Sequence, residues 1–226
     1  MSTEIEARAR LFDAIEGGSL FWSRQIIEFG ASAVVEKIDG GGYDRVKYER
    51  IITRIRSISA EEILETIGAT DSQFIYPATE EWPDSLEDLV CPPIALIVRG
   101  DVSLLKSPQL AIVGTRNPTH YGVRVAQDFA AGFVDRNWCI TSGGAYGIDA
   151  AAHKGALIAE GSTIAVLAAG IDINYPAGHA RLFAEILESG AIVTEVMPGV
   201  SAIPSRFLTR NRLIAALSNA TLVVEA

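Results

Sequence analysis

The sequence predicts an α/β protein: a Rossmann-like open parallel sheet with a small all-helical N-terminal domain. Three observations carry this. From about Ile94, short apolar runs without strict alternation recur: ALIVRG, QLAIVGT, WCITSGG, TIAVLAAG, AIVTEV and TLVVEA. Such runs suit parallel strands buried on both faces. The segments between them, near 121–137, 148–160, 177–189 and 206–218, are long enough for crossover helices. Before Thr70 the periodicity is helical instead, in ARARLFDAI, FWSRQIIEFG, VVEKI and VKYERIITRIRSI.

Taken in order, residues 1–70 read as short helices punctuated by Gly17-Gly18, Gly30 and the Gly40-Gly41-Gly42 triplet. Ser59 and Glu62 have the spacing of a capping box before EILETIGA. Residues 71–93, rich in proline and turn residues, read as a connector, and 94–226 as the sheet domain. No apolar run approaches the roughly 20 residues of a membrane span. Two cysteines without CxxC spacing make a disulfide framework or zinc site improbable, and no signal-peptide core is visible at the start. The expected place is the cytoplasm, away from membranes.

The formal charge of −9 argues against an anionic partner only until it is divided. Residues 1–106 hold 11 Lys+Arg against 19 Asp+Glu, a net of −8, and residues 107–226 hold 8 against 9, a net of −1. The second half is near neutral, and five of its eight basic residues lie beside loops or glycine-rich motifs: Arg116, Lys154, Arg206, Arg210 and Arg212. A local anion site remains compatible with this distribution.

Ligands of such sheets bind outside the strands' carboxyl ends, and three polar segments fall there. In AIVGTRNPTHYG, Arg116 is placed either to clamp phosphate oxygens or to pair with a carboxylate. In TSGGAYGIDAAAHKGAL, Ser142, Gly144 and Gly147 have GxGxxG spacing with serine in the first place. The turn reads as an anion site at a helix start or as glycines required for close packing. Asp172 lies 25 positions beyond Gly147, farther than a dinucleotide site's ribose-binding acid usually lies. His153, one helical turn after Asp149, reads as its structural partner. In SRFLTRNRLIAALSN, Arg206, Arg210 and Arg212 with Phe207 and Asn211 open a helix. They would oppose its dipole unless an anion, or a network with Glu195 or Glu225, offsets them. Guanidinium groups beside an aromatic ring suit single-stranded nucleic acid. No HExxH, P-loop, paired-carboxylate or triad pattern appears. No catalytic residue, metal or cofactor is therefore assigned.

IVGTRNPTHYG, TSGGAYGIDAAAHKGAL, TIAVLAAGIDINYP, the TEV after Gly190, FLTRNRLIAALS and LVVEA occur in an order that closely resembles the DNA-processing protein A (DprA/Smf) family. IYPATEEWPDSLEDLVCPPIALIVRG resembles that family's bridge between its helical and Rossmann-like domains. The resemblance implies a non-enzymatic single-stranded-DNA-binding protein of natural transformation and recombination. Such a protein shields incoming strands, helps load RecA, and forms a homodimer through the Rossmann-like domain. It implies DNA contacts at Arg116, Ser142, Gly143, Phe207, Arg210, Asn211 and Arg212, with Lys154 and Arg206 added on charge and position. Two departures stand out: Tyr146 occupies the position of the family's arginine, and the family's SGSLxTA-like continuation does not follow Val224-Glu225-Ala226. The expectation is a sheet without the family's C-terminal elements. The competing readings are a phosphoribohydrolase-like nucleotide enzyme, whose PGGxGTxxE pattern is absent, and a dinucleotide-binding module.

Overall fold

The structure is a computed structural model in which residues 3–226 are described. The helical region comprises α1 (Glu4–Ala14), α2 (Leu20–Phe29), α3 (Ala31–Asp39), α4 (Glu49–Ser57) and α5 (Ala60–Gly68). The Ser59–Glu62 capping box is present: the Ser59 amide donates to Glu62 at 2.9 Å and the Glu62 amide donates back to the Ser59 hydroxyl at 3.2 Å. A second box, Thr3 with Glu6, opens α1. Each satisfies two amides that a helix start would otherwise leave without partners.

The remainder builds a seven-stranded sheet from β1 (Gln73–Ile75), β2 (Leu96–Gly100), β3 (Gln109–Gly114), β4 (Cys139–Ser142), β5 (Thr163–Leu167), β6 (Ala191–Thr194) and β7 (Ala220–Val224). Its order is β1-β2-β6-β5-β4-β3-β7. The five strands from β6 to β7 are parallel, as the apolar runs predict. Their crossovers are α6 (His120–Val134), α7 (Ile148–Ile158), α8 (Ala180–Ser189) and α9 (Pro204–Leu217).

Two strands depart from an all-parallel sheet. β1, inside the stretch read as a connector, pairs antiparallel with β2, and β2 pairs antiparallel with β6. The register of Gly100 opposite Ala191 brings the end of β2 to the edge where β6 begins. β3 starts at that same edge, so residues 101–108 suffice as a link. A parallel β2 would need a return crossover of a dozen residues or more.

Alternate residues of each strand feed opposite cores. Leu110, Ile112 and Ile140 pack with Ala126, Ala130, Ala152 and Ala156 of α6 and α7. Ala111, Cys139, Ile164 and Val166 pack with Leu213, Ile214 and Leu217 of α9 on the other face. Burying each such aliphatic side chain is worth roughly 1.5–3 kcal/mol, so α9 is held by apolar area along its second half. The helical region shares a core with the sheet: Ala7, Leu11 and Val34 belong to one cluster with Ile97, Ala165, Leu167 and Phe183. Arg8 adds a polar tie, donating to the Ile94 carbonyl at 2.7 Å. Because α6 leaves β3 on one face and α9 reaches the adjacent β7 from the other, the sheet's direction reverses at β3. The carboxyl-end loops open there.

Candidate nucleic-acid interface

The loop after β3 is pinned at both ends. The Thr115 amide donates to the Glu225 carbonyl at 2.7 Å, and the Thr119 amide donates to the Glu225 carboxylate at 2.8 Å. The Thr119 hydroxyl also donates to that carboxylate, while its oxygen caps α6 by accepting from the Gly122 amide at 3.1 Å. These bonds hold the Glu225 carboxyl below the usual carboxylate range. Between the pins Arg116 is exposed, with its guanidinium carbon 5.3 Å from the centroid of the Phe207 ring. That is cation–π distance.

The glycine loop after β4 lies underneath. Ser142 is fully buried and its hydroxyl donates to the Ile112 carbonyl at 2.6 Å. The Gly143 and Ala145 amides donate to Asp149 at 3.2 and 3.3 Å. Arg210 donates through one Nη to the Gly143 and Val166 carbonyls. Its guanidinium lies so close to Gly143 that no side chain could fit there. Gly147, at φ +84°, lies against the Thr115 and Arg116 backbone, with no space for a Cβ, and the neighbouring Ile148 amide donates to the Thr115 carbonyl at 3.1 Å. The glycines therefore bring backbone close to backbone and to an internal guanidinium. Ser142 and Gly143, expected at the DNA surface, are a buried floor whose polar groups are satisfied by the protein.

Asp149 and Arg210 form the charged part of this floor. Burial raises the Asp149 carboxyl pKa, opposed first by the Arg210 charge and then by the two amides. Burial also lowers Arg210 to about 10; Asp149 opposes this shift and Arg116 adds to it. Arg210 thus stays cationic at neutral pH, only 5% exposed, and its Nε finds no partner among the described residues.

The expected Asp149–His153 pair is not formed. His153 is fully buried and its Nδ1 lies 2.7 Å from the Thr163 hydroxyl, which itself donates to the Ile140 carbonyl at 2.6 Å. The Thr163 oxygen therefore accepts from His153. Helical spacing had suggested Asp149, but that carboxylate turns back to the loop amides, and the imidazole reaches across to β5.

The arginines of α9 also divide. The helix begins at Pro204, so only Arg206 lies in its first turn, and the dipole argument for Arg210 and Arg212 falls. Arg206 forks onto Glu16 of the helical region, Nε to Oε2 at 3.0 Å. Arg212 places one Nη 2.6 Å from both Glu195 oxygens, the internal network foreseen as an alternative, whereas Glu225 serves Thr119. Asn211 is exposed on α9 and Lys154 is exposed on α7, with no contact joining Lys154 to this cluster among the described residues.

Two exposed aromatics also reach the edge: Tyr146, already marked in the sequence at the position of the family's arginine, and Tyr175, which was not foreseen. Tyr175, after β5, lies 5.3 Å from Phe207 ring to ring. Tyr146, half exposed, meets His179 edge-on at 4.6 Å, and His179 donates through Nδ1 to the Gly144 carbonyl at 2.9 Å. The NYPAGH stretch directly after an apolar run was the available signal. Among the described residues no group of three or more His, Cys, Asp or Glu could hold a metal, and no helix is long and apolar enough to cross a membrane.

Fold and edge together define a Rossmann-like α/β protein whose carboxyl-end loops present a guanidinium and aromatic rings over a sealed glycine floor. Residues 73–226 match the model of the DNA recombination-mediator protein A family, and the chain belongs to that family. A DprA-type DNA processing protein of Mycobacterium tuberculosis is 44% identical over 180 residues, 74% of this chain and 46% of its own length. The structure of DNA processing protein A from Streptococcus pneumoniae superposes with a TM-score of 0.82 at 26% identity, covering all of this chain and 78% of that one. DNA processing protein A from Helicobacter pylori, described for its single-stranded DNA binding mode, gives 0.62 at 32% identity over 68% of this chain and 70% of its own. The chain spans about half the length of the curated relatives it matches.

Proposed function

We propose that the carboxyl-end edge of the sheet binds single-stranded DNA without making or breaking a bond. The observation that carries this reading is the exposed Arg116 guanidinium over Phe207, whose ring also neighbours Tyr175. A phosphate needs a cation and an unpaired base needs a flat apolar partner, and here the two adjoin. A duplex hides its bases, so the same edge favours single strands. Arg116, Phe207 and Asn211 are the direct contacts in this proposal, with Arg210 supplying positive potential from below and Lys154 lying outside the cluster. The family resemblance supports two extensions: the protein acts as a homodimer through its Rossmann-like domain, and its partner is the RecA recombinase in cytoplasmic recombination and transformation.

Anisotropy of labelled single- and double-stranded oligonucleotides at two salt concentrations tests the reading. Single strands bind more tightly, and affinity falls as salt rises. Phe207→Ala weakens single-strand binding by the ~1–3 kcal/mol of a lost stacking platform. Equal affinity of the variant and the parent sinks the stacking role.

A further inference from the structure

The turn joining α1 to α2 lies against α9 and against Glu195, which follows β6, and three consecutive residues make the contacts. Glu16 receives Arg206 at two points, Nε to Oε2 at 3.0 Å and Nη2 to Oε1 at 2.5 Å. The third arm of the same guanidinium donates to the Ser201 carbonyl at 2.6 Å, in the segment leading into α9. Gly17 abuts the Glu195 carboxylate with no room for a side chain, and Glu195 in turn holds Arg212. Gly18 abuts the Thr209 methyl group. Residues 206, 209 and 212 thus face the helical region, and Phe207 and Arg210 lie between them in sequence.

This seam is not closed by apolar packing. A cavity of about 330 Å³ runs along it, lined by Glu16, Arg50, Glu195, Arg206, Thr209 and Arg210 among others. The Glu16 side chain is 59% exposed and that of Arg206 15%, so the ion pair adds on the order of 1 kcal/mol or less to global stability. A two-point guanidinium–carboxylate fork does fix direction as well as distance. Where stability gains little and geometry gains much, orientation is the function of the contact.

We propose that Glu16 is a positioning residue: through Arg206 the helical region orients the first turn of α9, and with it the Phe207 ring under Arg116. This rests on the single-strand-binding reading above. Charge and position predict opposite signs. A carboxylate near a polyanion's path repels it, so if Glu16 acted only through charge, its removal would strengthen binding.

The test uses the full chain with Glu16→Ala, and Arg206→Lys as a second variant that keeps the positive charge but loses the fork. Both are measured by oligonucleotide anisotropy and by amide hydrogen exchange across residues 204–210. The expected result is a loss of affinity of roughly two- to fivefold in both variants, the size of a weakened exposed pair. Exchange in the first turn of α9 is faster in both, and the thermal midpoint stays within a few degrees. Affinity that is unchanged or increased in Glu16→Ala overturns the proposal, as does parental exchange in that turn whatever the affinity does. Should the parent itself bind no oligonucleotide, the proposed function falls. Exchange then decides alone: acceleration upholds the positioning role and its absence overturns it.

Discussion

The sheet edge has a buried layer and an exposed layer, and both are built from arginine, glycine and polar residues. In the buried layer, Arg210 is spent on the Gly143 and Val166 carbonyls and Asp149 on the loop amides. In the exposed layer, the Arg116 guanidinium lies over an aromatic face and has no carboxylate partner among the described residues. The difference teaches that residue type does not assign a role here. A buried guanidinium depends on the protein for its partners because water does not reach it; Arg210 finds them for one Nη and leaves Nε without one among the described residues. An exposed one keeps its donors for a ligand. The first layer supports the loops, and the second carries the binding role proposed above.

Breaking the buried layer gives the largest effect. Arg210→Ala leaves two carbonyls unsatisfied and removes the cation facing Asp149; urea denaturation shows a loss of about 3–5 kcal/mol, the cost of removing one partner from a buried charged network. A loss below 1 kcal/mol would place Arg210 in the exposed layer instead.

The buried packing between α7 and β5 is acid-sensitive as well. Burial first, then the charges of His179 and Arg210, push His153 down to about 3 from its ordinary 6.5. The unfolded chain takes a proton near 6.5 and the folded chain does not until about 3, so His153 favours the folded state above that window. Its contribution is lost as pH falls through it, at up to about 1.4 kcal/mol per pH unit. His153→Gln has a shallower acid limb in pH-dependent denaturation. Identical limbs would mean that the imidazole charges freely in place.

The join between the layers is next. Gly147→Ala forces a side chain onto left-handed backbone against Thr115 and Arg116. It lowers stability by about 1–3 kcal/mol in thermal denaturation, and it displaces Arg116. The smallest effect comes from the exposed layer itself. Arg116→Ala changes stability by no more than about 0.5 kcal/mol. It lowers the slope of log affinity against log salt by about 0.7, one phosphate of a single strand. A variant that unfolds more easily but binds with an unchanged slope would exchange the two layers' roles.

Four of the five parallel strands, β3 to β6, were legible because strands buried on both faces must be continuously apolar; β7 is apolar in sequence but lies exposed at the sheet edge. Direction was not legible: ALIVRG reads the same whichever way it runs, and the short link to β3 decides it. Strand β1 is three residues inside a proline-rich stretch, too short to show a period. At the site, Arg116 could be picked out because it sits in the loop directly after a strand, and Phe207 because it stands among arginines at the start of a helix. The partners of Arg206 and His153 could not be identified. Glu16 is 190 positions from Arg206, and Thr163 is brought to His153 by strand pairing, not by helical spacing.

Glu225 closes the loop after β3 from 106 positions beyond Thr119, holding Thr115 and Thr119 in place. On a ribosome the chain emerges in sequence order, and the Arg116 loop is made more than a hundred residues before its clasp. Throughout that interval the loop has no partner to set its shape. The loop after β3 is therefore completed only once Glu225 has been made, and a shorter nascent chain carries Arg116 on a loop without its clasp.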